Sequence, residues 1–241
     1  MENDNLIPIG EAAKILNVSL MTLRRWDENG KLVSVRKTPT GDRYYRKIDI
    51  EVLTSDLFKQ AYDWVVSNTK IQDTFYCQTS SVFNSRLIRM ETEMLNDQKL
   101  KDSFSLIVSV AGEIGNNSYD HNLAHWPDIP GIFFGYDLIK KQIVLADRGL
   151  GILETLKRVK PELKDYKDAL QVAFTEILSG RTPEARGNGL KYVRKVISKG
   201  SINLFFQTGD AKLNLDAGSN ELRISNTKDN FHGCLALISY L

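Results

Sequence analysis

The chain has 241 residues, with 32 Lys+Arg against 30 Asp+Glu, three His, two Cys and 42% hydrophobic residues. That apolar share and a net charge of +2 exclude a disordered tail. Cys77 and Cys234 are too few for a disulfide scaffold and point to a reducing, cytoplasmic compartment. The length suits one large domain or two unequal ones. Met1-Glu-Asn-Asp-Asn has neither a basic n-region nor an apolar h-region, so no export signal is expected. No stretch reaches the roughly 18 to 20 uninterrupted apolar residues of a membrane helix, and no membrane partner is expected. His121 and His125 stand at i, i+4 without the Glu of an H-E-x-x-H zinc site.

The charge is unevenly placed. Lys14–Lys47 holds nine basic and three acidic residues, a net +6, which leaves −4 for the rest. A compact basic segment on an otherwise acidic protein is the footprint of a DNA-binding head. Within it Ile9, Ala12, Ala13 and Leu16 recur at helical spacing, and Asn17-Val18 breaks the run. Ser19 is placed to cap a second helix over Leu20–Glu28 that buries Leu20, Leu23 and Trp26, and Asn29-Gly30 ends it. Leu32–Arg36 and Arg43–Arg46, joined through Thr38-Pro39-Thr40-Gly41-Asp42, predict a β-hairpin whose arms carry Arg36, Lys37, Arg43 and Arg46.

Ile9–Leu53 resembles the winged helix-turn-helix of the MerR and excisionase group. The matching residues are Ile9-Gly-Glu-Ala-Ala-Lys, Thr22-Leu-Arg-Arg-Trp, Asn29-Gly-Lys-Leu and Thr40-Gly-Asp-Arg-Tyr-Tyr. The resemblance implies that Thr22, Arg24 and Arg25 face double-stranded DNA, and that Arg43, Tyr44 and Tyr45 contact its backbone from the wing. It also implies a homodimer. A protein-binding winged helix, or a helical domain with a solvated basic face, is the competing reading.

Residues 57–98 carry two helix-compatible runs, Leu57–Val66 and Val82–Leu95, expected to connect and pack two domains. No His occurs between residues 1 and 120. Lys101–Asn122 then predicts a helix with Phe104, Ile107, Val108, Ala111 and Ile114 inward. Glu113, Asn117 and His121 lie four apart along one face of it. Gly115, Asn116 and Asn117 are poor helix formers that together cost about 2 kcal/mol relative to Ala, which suggests that the helix uses them.

Gly131–Leu138 and Lys141–Ala146 predict a strand hairpin running into Asp147-Arg-Gly-Leu-Gly-Ile152. Glycines beyond a strand let a ligand approach the backbone, and a carboxylate there can accept from an amino group. Arg186-Gly-Asn-Gly-Leu190 precedes an amphipathic helix, Leu190–Ile197, whose N-terminus offers free N–H groups to phosphates. Neither glycine pair completes G-x-G-x-x-G, and no P-loop is present.

The ordered set Glu113…Asn117…His121, Asp147-x-Gly-x-Gly and Gly187-x-Gly-Leu190 resembles the GHKL ATPases of the Bergerat fold over residues 99–241, including a closing strand at Gly233–Tyr240. The resemblance implies an α+β chain: a winged helix-turn-helix at 1–56, a helical connector at 57–98 and a C-terminal α/β sandwich of the Bergerat type at 99–241. It also implies ATP and Mg²⁺ as cofactors. Asn117 would coordinate Mg²⁺, Glu113 would orient or deprotonate the attacking group, and Asp147 would read the adenine amino group beside Gly149 and Gly151. Gly187, Gly189 and Leu190 would cradle phosphates, and Arg181 or Arg186, in the lid segment Leu178–Arg186, would neutralise their charge. His121 would either join the pocket or cap its helix. Cys234 stands where many relatives carry a Thr.

The phosphoacceptor-His helix of sensor histidine kinases is missing, so that activity is not expected. Three functions stay open: a cytoplasmic regulator whose ATP state modulates DNA or partner binding, an anti-sigma-like serine kinase acting on a STAS-like partner, or a nucleotide sensor without catalysis.

Overall fold

The computed structural model describes residues 6–36, 41–123, 125–176 and 189–241. Two compact units divide between Lys59 and Gln60.

The first unit opens with β1 (Leu6–Pro8) and α1 (Ile9–Ile15). Asn17 takes φ +51°, a conformation its short amide side chain tolerates, and this turns the chain into α2 (Leu20–Glu28). Ser19 Oγ accepts the Thr22 N–H at 3.1 Å, satisfying a donor left over at the helix start. Beyond Gly30, at φ +74°, come β2 (Val35–Arg36), β3 (Arg43–Arg46) and α3 (Lys47–Thr54). The three strands form one antiparallel sheet in the order β1-β3-β2. Ala12, Ala13, Leu23, Leu32, Tyr45 and Ile50 make the core. Leu20, expected inside, is 45% exposed because it opens its helix with no preceding turn to shield it.

The division falls within α4 (Asp56–Ser67), which buries Ala61, Trp64 and Val65 at helical spacing. After β4 (Tyr76–Cys77), Thr79 caps α5 (Ser80–Leu95), and Phe83, Met90 and Met94 of that helix are buried. A single 3₁₀ turn, Gln98–Leu100, leads into α6 (Phe104–Asn122). The hairpin β5 (Ile132–Asp137) and β6 (Gln142–Asp147) follows, then α7 (Gly151–Lys157), α8 (Tyr166–Thr175) and α9 (Gly189–Ile197). The unit closes with β7 (Ile202–Thr208), β8 (Ala211–Leu215), β9 (Arg223–Asn226) and β10 (Cys234–Tyr240).

These strands form a seven-stranded sheet, β4-β5-β6-β10-β7-β8-β9, in which every pairing is antiparallel. One face packs on α5, α6, α8 and α9 through residues such as Phe134, Leu145, Phe206 and Ile238. The alternate residues Phe133, Val144, Phe205 and Leu237 are buried as well. The central strands therefore read as continuous apolar runs instead of alternating ones. The architecture is α+β, with the layered helix-on-sheet unit following the helix-turn-helix.

Gly115 has a packing role. A Cβ there would enter the space of the Phe83 ring, so this glycine lets α5 and α6 approach. Its cost to helix propensity is offset by contact, with no ligand required.

Candidate functional site

α6 runs along one edge of an open cleft. Asn117, Ser118, His121 and Asn122 of α6 line it, with Asp147 at the end of β6 and Gly151, Ile152 and Thr155 of α7. Leu190, Phe206 and Cys234 complete its wall. Polar side chains from α6, β6 and α7 thus share the wall with apolar ones.

Asp147 is the polar centre, at 2% exposure. Ser118 donates its hydroxyl to Oδ2 at 2.8 Å, and the Gly149 N–H donates to Oδ1 at 2.8 Å. Burial pushes the Asp147 carboxyl up to about 6, against the opposing pull of Ser118 and of the Gly149 and Cys234 backbones.

The glycines of this segment have separate reasons. A Cβ on Gly149 would overlap the Asn122 amide. Gly151 takes φ +75°, and a Cβ there would stand 2.9 Å from Thr208 Oγ1. Thr208, fully buried, donates to Gly233 O at 2.8 Å and accepts the Ile152 N–H at 3.2 Å. Because Cys234 and Thr208 are register partners on β10 and β7, this hydroxyl stands one strand over from Cys234.

At the other end of the cleft, α9 begins against α6. A Cβ on Gly189 would fall 2.5 Å from Glu113 Oε2 and 3.1 Å from Asn117 Nδ2. Three residues taken from two separate sequence boxes thus meet at one helix start. His121 is exposed, yet lost hydration around its ring lowers its pKa, with Asp120 opposing and Arg158 reinforcing. Among the described residues, no three His, Cys, Asp or Glu side chains gather in a metal-holding group. Arg181, Arg186 and Gly187 lie outside the described residues.

In the first unit Arg24 and Arg25 are exposed on α2, and Thr22 is half-buried with its hydroxyl 2.9 Å from Ser19 Oγ. Arg43 is committed: its Nε donates to Asp27 Oδ2 at 2.9 Å, while Ser34 gives its N–H and its hydroxyl to the same carboxylate, each at 2.8 Å. Tyr44 is half-buried. Tyr45 corrects the expectation for the wing. It is 0% exposed and donates its hydroxyl to Leu23 O at 3.2 Å, so it is a core residue and cannot contact DNA. In β3 its side chain points to the opposite face from its neighbours Tyr44 and Arg46, and that face is the inner one.

Sequence reasoning passed over Ser118, Asn122, Thr208 and Asp27. Ser118 and Asn122 carry a signal, since they sit four apart beside Asn117 at the polar end of an apolar helix. Thr208 has none, because only strand register brings it beside Cys234.

Residues 8–45 match the family model of the MerR family regulatory protein. The chain is 40% identical over 68 residues to the type II methyltransferase M.Eco47II of Escherichia coli, a match covering 28% of this chain and 16% of the methyltransferase. It therefore spans only a small part of the length of that relative. The 43K ATPase domain of Thermus thermophilus gyrase B, solved in complex with an aminocoumarin, is similar at a TM-score of 0.34 and 17% identity, over 55% of this chain and 33% of that one. That likeness is slight, and the chemistry of the cleft rests on its own residues instead. No helix among the described residues is long and apolar enough to cross a membrane. Over residues 8–45 the chain carries a MerR-type helix-turn-helix, followed by a separate α+β unit.

Proposed function

We propose that the chain is a DNA-binding regulator whose second unit binds ATP with Mg²⁺, the nucleotide state modulating DNA or partner binding. The observation that carries it is Asp147, a buried carboxylate held by Ser118 and Gly149 on the wall of a cleft that also carries apolar side chains. Such a group is suited to accept from the exocyclic amino group of adenine. The meeting of Glu113, Asn117 and Gly189 at the start of α9 supports a phosphate end opposite the base end.

Asn117 would hold Mg²⁺ together with phosphate oxygens and waters, which accords with an ion that dehydrates reluctantly and uses few protein ligands. Bound there, the ion would neutralise phosphate charge. Glu113 would orient or deprotonate an attacking water. Gly187 and Leu190 would join Gly189 around the phosphates, with Arg181 or Arg186 adding positive charge. On the first unit, Arg24, Arg25 and Thr22 would enter the major groove, and Tyr44 would approach the backbone.

Titration of the full chain with a fluorescent ATP analogue and Mg²⁺ tests the cleft. Tight binding lost in Asp147→Asn is expected, and equal affinity would overturn it. A DNA mobility shift with and without ATP, repeated for Glu113→Ala and for Arg24→Ala with Arg25→Ala, tests the coupling. If ATP leaves DNA affinity unchanged while a small protein partner becomes phosphorylated, a serine kinase replaces the regulator.

A further inference from the structure

We propose that Asn122 is a positioning residue for base recognition, clamping the end of α6 to the Asp147–Leu150 turn so that the Asp147 carboxylate is presented in one orientation. This rests on the nucleotide reading of the cleft and adds a residue to it that none of the three sequence boxes contains.

Asn122 is the last residue of α6 and is 3% exposed. Its amide is used in both directions. Nδ2 donates to Ser118 O at 2.7 Å, and Oδ1 accepts the Leu150 N–H at 2.7 Å. The same amide lies flat against Gly149, where a Cβ would overlap it. Gly149 in turn gives its N–H to Asp147 Oδ1, and Ser118 gives its hydroxyl to Oδ2. Two of the bonds that orient the carboxylate, from Ser118 and Gly149, therefore come from residues that Asn122 touches, and the Cys234 backbone supplies a third. The final side chain of α6 thus ties a carbonyl one turn back to the turn that follows β6, the strand that bears the acid. Asn suits the slot because it offers a donor and an acceptor at the reach of two bonds beyond Cβ.

Removing the clamp should leave the phosphate end intact, since Glu113, Asn117 and Gly189 do not contact Asn122 through any of these bonds. The probe pair is ATP and inosine triphosphate, which share a triphosphate and differ at the 6-amino group. In Asn122→Ser the side chain keeps a polar atom but cannot span to Leu150. Wild type should prefer ATP. Asn122→Ser should lose about tenfold in ATP affinity, the worth of one oriented hydrogen bond, while inosine triphosphate affinity stays put. A preserved ATP preference, or an equal fall for both nucleotides, would overturn the clamp while the cleft stands. If wild type binds neither nucleotide, the reading of the cleft itself falls.

A second measurement needs no variant. Amide exchange at Leu150 in the wild-type chain should slow further with ATP than with inosine triphosphate, because coupling between base and turn is reciprocal. Equal protection by the two nucleotides would overturn the proposal even if Asn122→Ser does not fold.

Discussion

Ser118 on α6 donates its hydroxyl to Oδ2 of Asp147, at the end of β6, across 2.8 Å. The bond sets a helix residue against a strand residue 29 positions later in the chain and stabilises the charged form of a carboxyl that burial otherwise disfavours.

That balance makes stability depend on pH. The Asp147 carboxyl rises from 3.8 to about 6, so between those values the folded state holds a proton that the unfolded state has released. Its contribution to stability is fully present near pH 4, declines as pH rises and is lost above about 6. The loss is about 3 kcal/mol at about 1.4 kcal/mol per pH unit. Urea unfolding of wild type and Asp147→Asn should show the variant gaining by about that amount, relative to wild type, from pH 4 to pH 7. A constant difference would refute the assignment. Nucleotide affinity runs the other way, weakening below about pH 6 as Asp147 becomes a hydroxyl donor.

Asp27 gives a prediction of unusual sign. If α2 enters DNA as proposed, deleting an acid from it should raise DNA affinity where charge alone decides. Asp27 instead holds Ser34 and Arg43, and its side chain is 9% exposed. Asp27→Ala should therefore weaken DNA binding and destabilise the first unit by about 2 kcal/mol. Mobility shifts at several salt concentrations, with thermal melts, check both; tighter binding would show that Arg43 is worth more when released.

Tyr45→Phe separates a core role from a DNA role. Losing the hydroxyl bond to Leu23 O should cost about 1 kcal/mol. DNA affinity and its salt slope should not change once the folded fraction is matched. A shallower slope would return Tyr45 to the interface.

Gly189→Ala probes the phosphate end. Its Cβ would press on Glu113 Oε2 at 2.5 Å, while Ala suits a helix better than Gly. We expect ATP turnover to fall by about tenfold or more from a displaced base, with the melting temperature unchanged or higher. Wild-type turnover would show that this approach is unimportant to the chemistry.

Much of the architecture was legible before any coordinates. Ser19, Asn29 and Gly30 mark the ends of α2, and the runs Gly131–Leu138 and Lys141–Ala146 predict the hairpin of β5 and β6. These are local effects, since caps and turns act within a few residues of their cause. The helix bearing Glu113, Asn117 and His121 and the strand end bearing Asp147 were recognisable for the same reason. Periodicity was weaker at Leu20, whose helical spacing matches the core while its place at the first turn leaves it exposed.

By itself, then, the sequence determined α1, α2, α6, the β5–β6 hairpin and β10, and the chemistry available at the end of α6, after β6 and at the start of α9. Only the tertiary structure decided which groups meet. It set Gly189 against Glu113, placed Thr208 beside Cys234 through strand register, and joined Asn122 to Leu150. It also turned Tyr45 inward and gave Gly115 to Phe83. The physical reason is range: propensity and capping are fixed by near neighbours, whereas a close approach or a shared hydrogen bond depends on how distant segments pack.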